Sequence, residues 1–364
     1  MKLENQIILI TSNEPWGNMW FSKQHYAYEL SKLGYQVYFI NPTSKWHWSN
    51  IFSFKIKFKS SSYENLTIVD YKNNFPQTIF KRFFTGINDF LNCVKLNRYI
   101  RLNNSNLIWW KFEPFRFLST YPYNKGKHIY HVIDPYNAFW QDKLQLKRAD
   151  LIICTNPKYY DYYNNYSKNK ILLIPHGISE DEFTVNEISI ENYKKKFGDF
   201  VILIGSVTID MNFNLIQNLA DNNIKLVVLG MEIFKNEYWD KLKQHENINY
   251  LGEVHAKEIK NYIAASKAGL VIYNFKRIID KNSRTPLKIM NYIAQNKPVI
   301  TSIKVPLSLL EGKAIYTAET QEEYVLFTKK AICNQLFVDK GKTKGYLDNH
   351  KYPNLINQIL NQLY

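Results

Sequence analysis

The sequence predicts an α/β protein built from two doubly wound, Rossmann-like domains in tandem, and three observations carry that prediction. At 364 residues the chain exceeds one compact core of ordinary size and fits two domains of roughly 150–200 residues each. Short apolar runs alternate with stretches of helical periodicity, once from residue 6 and again from residue 200. Those runs end in glycine, Asn-Pro or Asp-Pro, as strands do when they hand over to the loops of a βαβ unit.

Composition narrows the class. A hydrophobic content of 45% excludes a largely disordered chain. Cys93, Cys154 and Cys333 lie far apart and form no Cys-x-x-Cys, so neither a disulfide framework nor a zinc site is indicated, and a reducing cytoplasm is the natural compartment. The apolar run after Met1 is too short for a signal peptide, and no stretch approaches the ~18 apolar residues of a membrane span. A net charge of +15 still calls for an acidic partner, whether nucleic acid, anionic lipid or a phosphorylated substrate.

Taken in order, residues 6–10 form a strand, Tyr26, Ala27, Leu30 and Leu33 a helix closed by Gly34, and residues 37–40 a second strand. The intervening loop, Glu14-Pro15-Trp16-Gly17-Asn18, has one glycine and is no dinucleotide fingerprint. It sits at the carboxyl end of a strand, which makes Gly17, with Lys23 and His25 on the following helix, candidates for contacts in a cleft. Residues 43–101 differ in character: Trp46, Trp48, Phe52 and Phe54 interleave with Lys55, Lys57 and Lys59, and a Phe-, Lys- and Arg-rich stretch follows. One reading is core aromatics with solvated lysines. The other is a surface that docks on anionic headgroups through Trp46, Trp48, Lys55, Lys57 and Lys59.

Residues 107–110 and 129–133 read as buried strands, and Asp134 stands at the tip of the second. A helix with Phe139, Leu144, Leu146 and Ala149 follows, then a strand at 151–154, a helix at 158–166 and a strand at 171–174. Beyond a charged linker through Lys194, Lys195 and Lys196, the pattern restarts with a strand at 200–204 ending in Gly205-Ser206, a helix carrying Leu215, Ile216, Leu219 and Ala220, and a strand ending in Gly230. A strand at 248–251 leads into Gly252-Glu253-Val254, a helix spans 256–265, and a strand spans 269–273. The most informative helix follows: Thr285 is its N-cap, Pro286 its first position, and it stops by Asn296-Lys297-Pro298 before a strand at 298–302. Lys288 in its first turn makes an anion site best suited to phosphate, beside the plainer reading of a common Thr-Pro helix start with a solvated lysine.

The order Pro286-Leu287-Lys288, Tyr292-Ile293-Ala294, Lys297-Pro298-Val299 resembles the donor-binding helix of GT-B glycosyltransferases of the bacterial exopolysaccharide and teichuronic-acid type, a group 1 or family 4-like pattern. Asn291 and Asn296 replace the glutamate and glycine usual there. Ala149-Asp150-Leu151 and Ile174-Pro175-His176-Gly177-Ile178 also follow that family's order. The resemblance implies the GT-B fold, two Rossmann-like domains facing a cleft: an acceptor domain over 1–180, a nucleotide-sugar domain over 181–345, and a C-terminal helix over 346–364 that packs back on the first. It further implies that Gly205, Ser206, Gly230, Gly252, Val254, Arg277, Thr285, Lys288 and Asn291 bind the donor. Lys288 would neutralise the leaving diphosphate, and Asp134 would act as general base if the anomeric centre is inverted. A turn-capping role for Asp134 before Pro135 competes with that assignment.

The donor would be a nucleotide-diphosphate sugar, UDP- or GDP-linked, with no metal or other cofactor. The acceptor would be a lipid-linked glycan of surface polysaccharide or capsule, reached by an enzyme held peripherally at the cytoplasmic face of the membrane. Two rivals stand beside it. One is a GT-B-like sugar-nucleotide epimerase or phosphorylase. The other, a basic nucleic-acid-binding protein, is favoured by the charge but by no zinc-finger spacing, RNP-like strand or basic zipper.

Overall fold

The computed structural model describes residues 6–77, 81–102, 106–134, 136–274 and 286–363. The chain divides into two compact units, one comprising Met1–Pro175 with Tyr352–Tyr364 and the other His176–Lys351. The division falls after Pro175 rather than residue 180, because Ile174 packs in the first unit's core and Ile178 in the second's.

In the first unit β1 (Ile7–Thr11), α1 (Ser22–Lys32) and β2 (Gln36–Ile40) form the opening βαβ. Then come β3 (Lys57–Ser60), β4 (Leu66–Asp70), α2 (Lys81–Ile100), β5 (Leu107–Lys111), β6 (Lys127–Val132), α3 (Trp140–Arg148), β7 (Leu151–Cys154), α4 (Pro157–Tyr166) and β8 (Lys170–Leu173). The sheet order is β3-β4-β2-β1-β5-β6-β7-β8, parallel except for β3 against β4. Central strands such as β5 and β7 are buried along their whole length, which is why they read as unbroken apolar runs. The last helix of the chain, Tyr352–Leu363, lays Tyr352, Leu355, Ile356 and Ile359 into the same core as Tyr26 and Leu30 of α1.

The second unit holds α5 (Glu187–Phe197), β9 (Val201–Ile204), α6 (Phe213–Asp221), β10 (Leu226–Leu229), α7 (Glu237–Leu242), β11 (Ile248–Gly252), α8 (Ala256–Ala265), β12 (Gly269–Val271), α9 (Lys288–Ala294), β13 (Val299–Thr301), β14 (Ile315–Thr317), α10 (Gln321–Ile332) and α11 (Lys340–Asn349). The helix Tyr352–Leu363 is α12. All six strands are parallel, in the order β11-β10-β9-β12-β13-β14. Leu215, Leu219, Trp239 and Tyr324 of α6, α7 and α10 pack in one core, and Ile263, Ile289, Ile293 and Leu347 of α8, α9 and α11 in a second. Burial of Leu347 ties α11 to the second unit, so the C-terminal segment that joins the first begins at Tyr352 and not at residue 346.

The charged stretch around Lys194–Lys196 is a helix and not a linker. Asn186 caps α5 by accepting from Ser189 N–H, Ile190 and Phe197 are buried, and Tyr193 stacks on Tyr262 at 3.8 Å between centroids. Its lysines fall in the last turn, where they complement the helix dipole.

Candidate functional site

Three neighbouring strands of the second sheet, β11, β10 and β9, end in glycines that all adopt positive φ: 68° at Gly252, 151° at Gly230 and 125° at Gly205. The ends are stitched together, Gly205 N–H donating to Leu229 O at 2.9 Å and Gly230 N–H to Gly252 O at 2.8 Å. A Cβ on Gly230 would stand 2.1 Å from Gly205 O, an overlap with backbone that no side-chain adjustment relieves. At Gly205 a Cβ would lie 3.1 Å from Lys288 Nζ. The lysine therefore lies directly over the bare backbone at the end of β9. Its ammonium also sits 5.2 Å from the centroid of the Tyr273 ring, a cation–π contact. No carboxylate among the described residues pairs with it.

Tyr292 fixes the helix that presents Lys288. Its ring is fully buried, and its hydroxyl accepts from Ile204 N–H at 3.1 Å and lies 3.2 Å from Leu270 O. A Cβ on Gly269 would fall 2.1 Å from that ring, so only glycine lets α9 approach β12 this closely. Burial pushes the phenol far above its ordinary pKa. Removing the hydroxyl in Tyr292→Phe leaves Ile204 N–H without its acceptor and is expected to lower stability by about 1–3 kcal/mol in urea unfolding, with the site still formed.

Regular helix starts at Lys288, later than the Thr285 N-cap and Pro286 start expected from the sequence. Pro286 O accepts from Ile289 N–H at 3.0 Å, so the chain is already turning there, but Leu287 occupies the cap position with helical dihedrals. At the other end Asn296 has φ 52°, its N–H donates to Ile293 O, and Lys297 N–H donates to Tyr292 O. This is a Schellman close in which asparagine takes the left-handed position usually given to glycine. Ser206, Val254 and Asn291 are half-buried, while Arg277 and Thr285 lie outside the described residues.

In the first unit, Asp134 is exposed two residues beyond the end of β6, and its carboxylate makes no hydrogen bond to the described residues. It has company that sequence reasoning missed. Burial raises the pKa of the Tyr136 phenol far above its ordinary value, and the neighbouring Asp134, Glu14 and Glu113 carboxylates raise it further. The ends of β1, β5 and β6 thus gather carboxylates around one phenol. Arg116 pairs with Glu113 at 2.9 Å and also binds Asn41 O, Tyr71 Oη and Ser12 O, which ties the loops after β1, β2 and β5 into one piece. Only their position just past predicted strands could have marked these residues.

Lys23 is buried and pairs with Glu14, and its Nζ donates to Asn13 at 2.9 Å, so its charge already holds the loop after β1. His25 stacks on Tyr352 of α12 at 5.6 Å and meets Trp20 edge-on, a packing position. Gly17 is exposed, its carbonyl accepting from Trp20 Nε1 at 3.2 Å. Of the aromatic and basic stretch, Trp48 is 79% and Phe52 83% exposed, and Lys55 and Lys57 are exposed beside them. Trp46 is half-buried with its Nε1 donating to Asn74 O at 2.9 Å, and Lys59 pairs with Asp70 at 2.6 Å across β3 and β4. No helix among the described residues is long and apolar enough to cross a membrane.

No family model and no curated protein matches the chain. Among solved structures it is similar to an α,α-trehalose-phosphate synthase (UDP-forming) from Burkholderia vietnamiensis, at 10% identity and a TM-score of 0.69 over 99% of this chain and 98% of that one. It is likewise similar to Anabaena Alr3699/HepE in complex with UDP-glucose, at 11% identity and a TM-score of 0.67 over 99% of each chain. A third likeness is to WaaG, a glycosyltransferase involved in lipopolysaccharide biosynthesis, at 12% identity and a TM-score of 0.63 over 96% of this chain and 98% of that one. At such identities these likenesses establish the fold, and the fold is GT-B.

Proposed function

We propose that the protein is a glycosyltransferase that moves a sugar from a nucleotide-diphosphate donor to a hydroxyl of a lipid-linked glycan in bacterial surface polysaccharide synthesis. The observation that carries the reading is the Lys288 ammonium held over the Gly205 backbone, at an edge where three neighbouring strands end in glycines with positive φ. A cation placed there stabilises the charge that develops on the departing diphosphate. Gly230, Gly252 and Val254 flank the base in this reading, Ser206 approaches the diphosphate, and the Asn291 amide oxygen serves as an acceptor for ribose hydroxyls. UDP-glucose bound to HepE and the UDP-forming trehalose-phosphate synthase support a UDP-linked donor, with GDP the alternative.

Asp134 is the proposed base toward the acceptor hydroxyl if configuration inverts, and an orienting group if it is retained. Exposed, it has the solvent access that an incoming hydroxyl requires. The test of this reading is a thermal-shift series with nucleotides and a random oligonucleotide at two salt concentrations. Stabilisation by UDP or GDP is expected; stabilisation by the oligonucleotide alone, lost steeply with salt, would overturn it in favour of a nucleic-acid partner.

The positive charge of the chain is assigned to the membrane and to the phosphorylated donor, and the protein is placed peripherally at the cytoplasmic face. Exposed Trp48 and Phe52 beside Lys55 and Lys57 support that placement, each basic residue contributing about 1 kcal/mol near an anionic surface. The protein is expected to co-sediment with anionic vesicles, to be released by salt, and to bind less after joint replacement of Lys55, Lys57 and Lys59 by glutamate, with nucleotide affinity unchanged. Equal binding to neutral and anionic vesicles would mean that these lysines are an ordinary solvated face.

A further inference from the structure

The strands of the second sheet meet glycines and Lys288 at their carboxyl ends and lysines at their amino ends. β10, β12, β13 and β14 are entered through Lys225, Lys267, Lys297 and Lys313 respectively. Backbone bonds hold the first three of these side by side around the turn that leads from α5 into β9. Lys225 O accepts from Val201 N–H at 2.9 Å, Lys267 N–H donates to Phe200 O at 2.8 Å, and Pro298 O, next to Lys297, accepts from Gly269 N–H at 3.0 Å. That turn, Gly198-Asp199, follows Lys194 in the last turn of α5. A Cβ on Gly198, where φ is 69°, would lie 3.4 Å from Lys225 Nζ, so this ammonium stands over the bare backbone of the turn. Asp199 pairs with Lys267 at 3.3 Å and answers one of the four charges.

A lysine at a helix C-terminus is commonly a partner for the helix dipole, and that accounts for Lys194 taken alone. It does not account for Lys297. A helix end holds a nearby lysine charged, whereas the Lys297 amine is drawn down to about 8, first by burial and then by the charges of Lys194 and Lys267. Cations from three separate places, α5 and the approaches to β12 and β13, thus converge closely enough to oppose one another. An anion among them would remove that repulsion. Ammonium groups, compact and each with three donors, suit the oxygens of a phosphate, which accept from several directions.

We infer that the amino ends of β10, β9, β12 and β13 form a binding site for a phosphate-bearing anion, held by Lys194, Lys267 and Lys297 with Lys225 at the rim. The site lies at the opposite end of the strands from Lys288, so failure of UDP or GDP to bind would leave the inference intact. In the test the full chain is treated with an acetylating N-hydroxysuccinimide ester at pH 8, with pyrophosphate or with sodium chloride of equal ionic strength, and the rate at each lysine is read by peptide mass spectrometry. Pyrophosphate is expected to slow Lys297 about fivefold, as raising its pKa from about 8 to about 9 does at this pH, and to leave the exposed Lys195 unchanged. The same protection is expected in Lys288→Ala, which separates this site from the nucleotide site. Lys194→Gln with Lys225→Gln changes two exposed side chains and so spares the fold; it is expected to raise the pyrophosphate concentration needed for half protection about tenfold. A second arm replaces pyrophosphate with vesicles containing phosphatidic acid. Protection by pyrophosphate assigns the site to a free phosphate compound, and protection by the vesicles alone assigns it to a lipid headgroup. Protection by neither, protection no greater than that by sodium chloride, protection lost in Lys288→Ala, or protection unaltered in the double variant would overturn the inference.

Discussion

Replacing Lys288 with alanine is expected to lower turnover at saturating donor by about 10²–10³-fold, the usual loss when one preorganised group is taken from a developing charge. The fold should tolerate the change. Lys288 is half-buried, no described carboxylate depends on it, and its cation–π contact with Tyr273 is worth only about 0.5–1 kcal/mol. Tyr292, not Lys288, holds α9 against β9 and β12. The pair of measurements that checks this is kcat by nucleotide release and Tm by calorimetry. A rate close to that of the parent protein would remove Lys288 from the chemistry.

The largest effect on stability is expected from Gly230→Ala. Its φ of 151° is strained for any L side chain, and its Cβ would meet the backbone of Gly205 at 2.1 Å for O and 2.5 Å for C. Strain and overlap together should cost about 3 kcal/mol or more. Gly252→Ala provides the control, because that residue has φ 68° but nothing within 4 Å of its Cβ. It should lose only about 1–2 kcal/mol, the ordinary cost of a left-handed alanine. Equal losses in urea unfolding of the two variants would mean that close approach of β9 and β10 is not what requires glycine at 230. Because the overlap falls on Gly205, Gly230→Ala should also displace the backbone under Lys288 and weaken nucleotide binding.

What could be read in advance followed burial. Strands packed on both faces, such as Leu107–Lys111 and Leu151–Cys154, are continuous apolar runs, and the helix Ala256–Ala265 shows its buried face in plain periodicity. Glycine at strand ends and a lysine after Pro-Leu were visible as residue types. The edge of the first sheet was not: β3 exposes Lys57 and Lys59 around a half-buried Phe58, a pattern of the kind that protects sheet edges and that resembles a basic surface stretch. The helix α5 was hidden because a run of lysines outweighed Ile190, Tyr193 and Phe197 spaced along one face.

The candidate site divides in the same way. Lys288 and the glycines announce themselves, whereas Glu14, Glu113 and Arg116 sit in aperiodic loops and acquire meaning only when three strand ends are brought together. Lys23 and His25 looked available on their helix. The structure supplies the partners, Glu14 and Tyr352, that occupy them.

The most direct test of the central claim is nucleotide release from UDP- and GDP-linked sugars in the presence of a lipid-extract acceptor, with the parent protein and Lys288→Ala measured side by side. The account predicts release that requires the acceptor and nearly disappears in the variant. Release by the variant at the parent rate, or none from any donor with acceptor present, would contradict it.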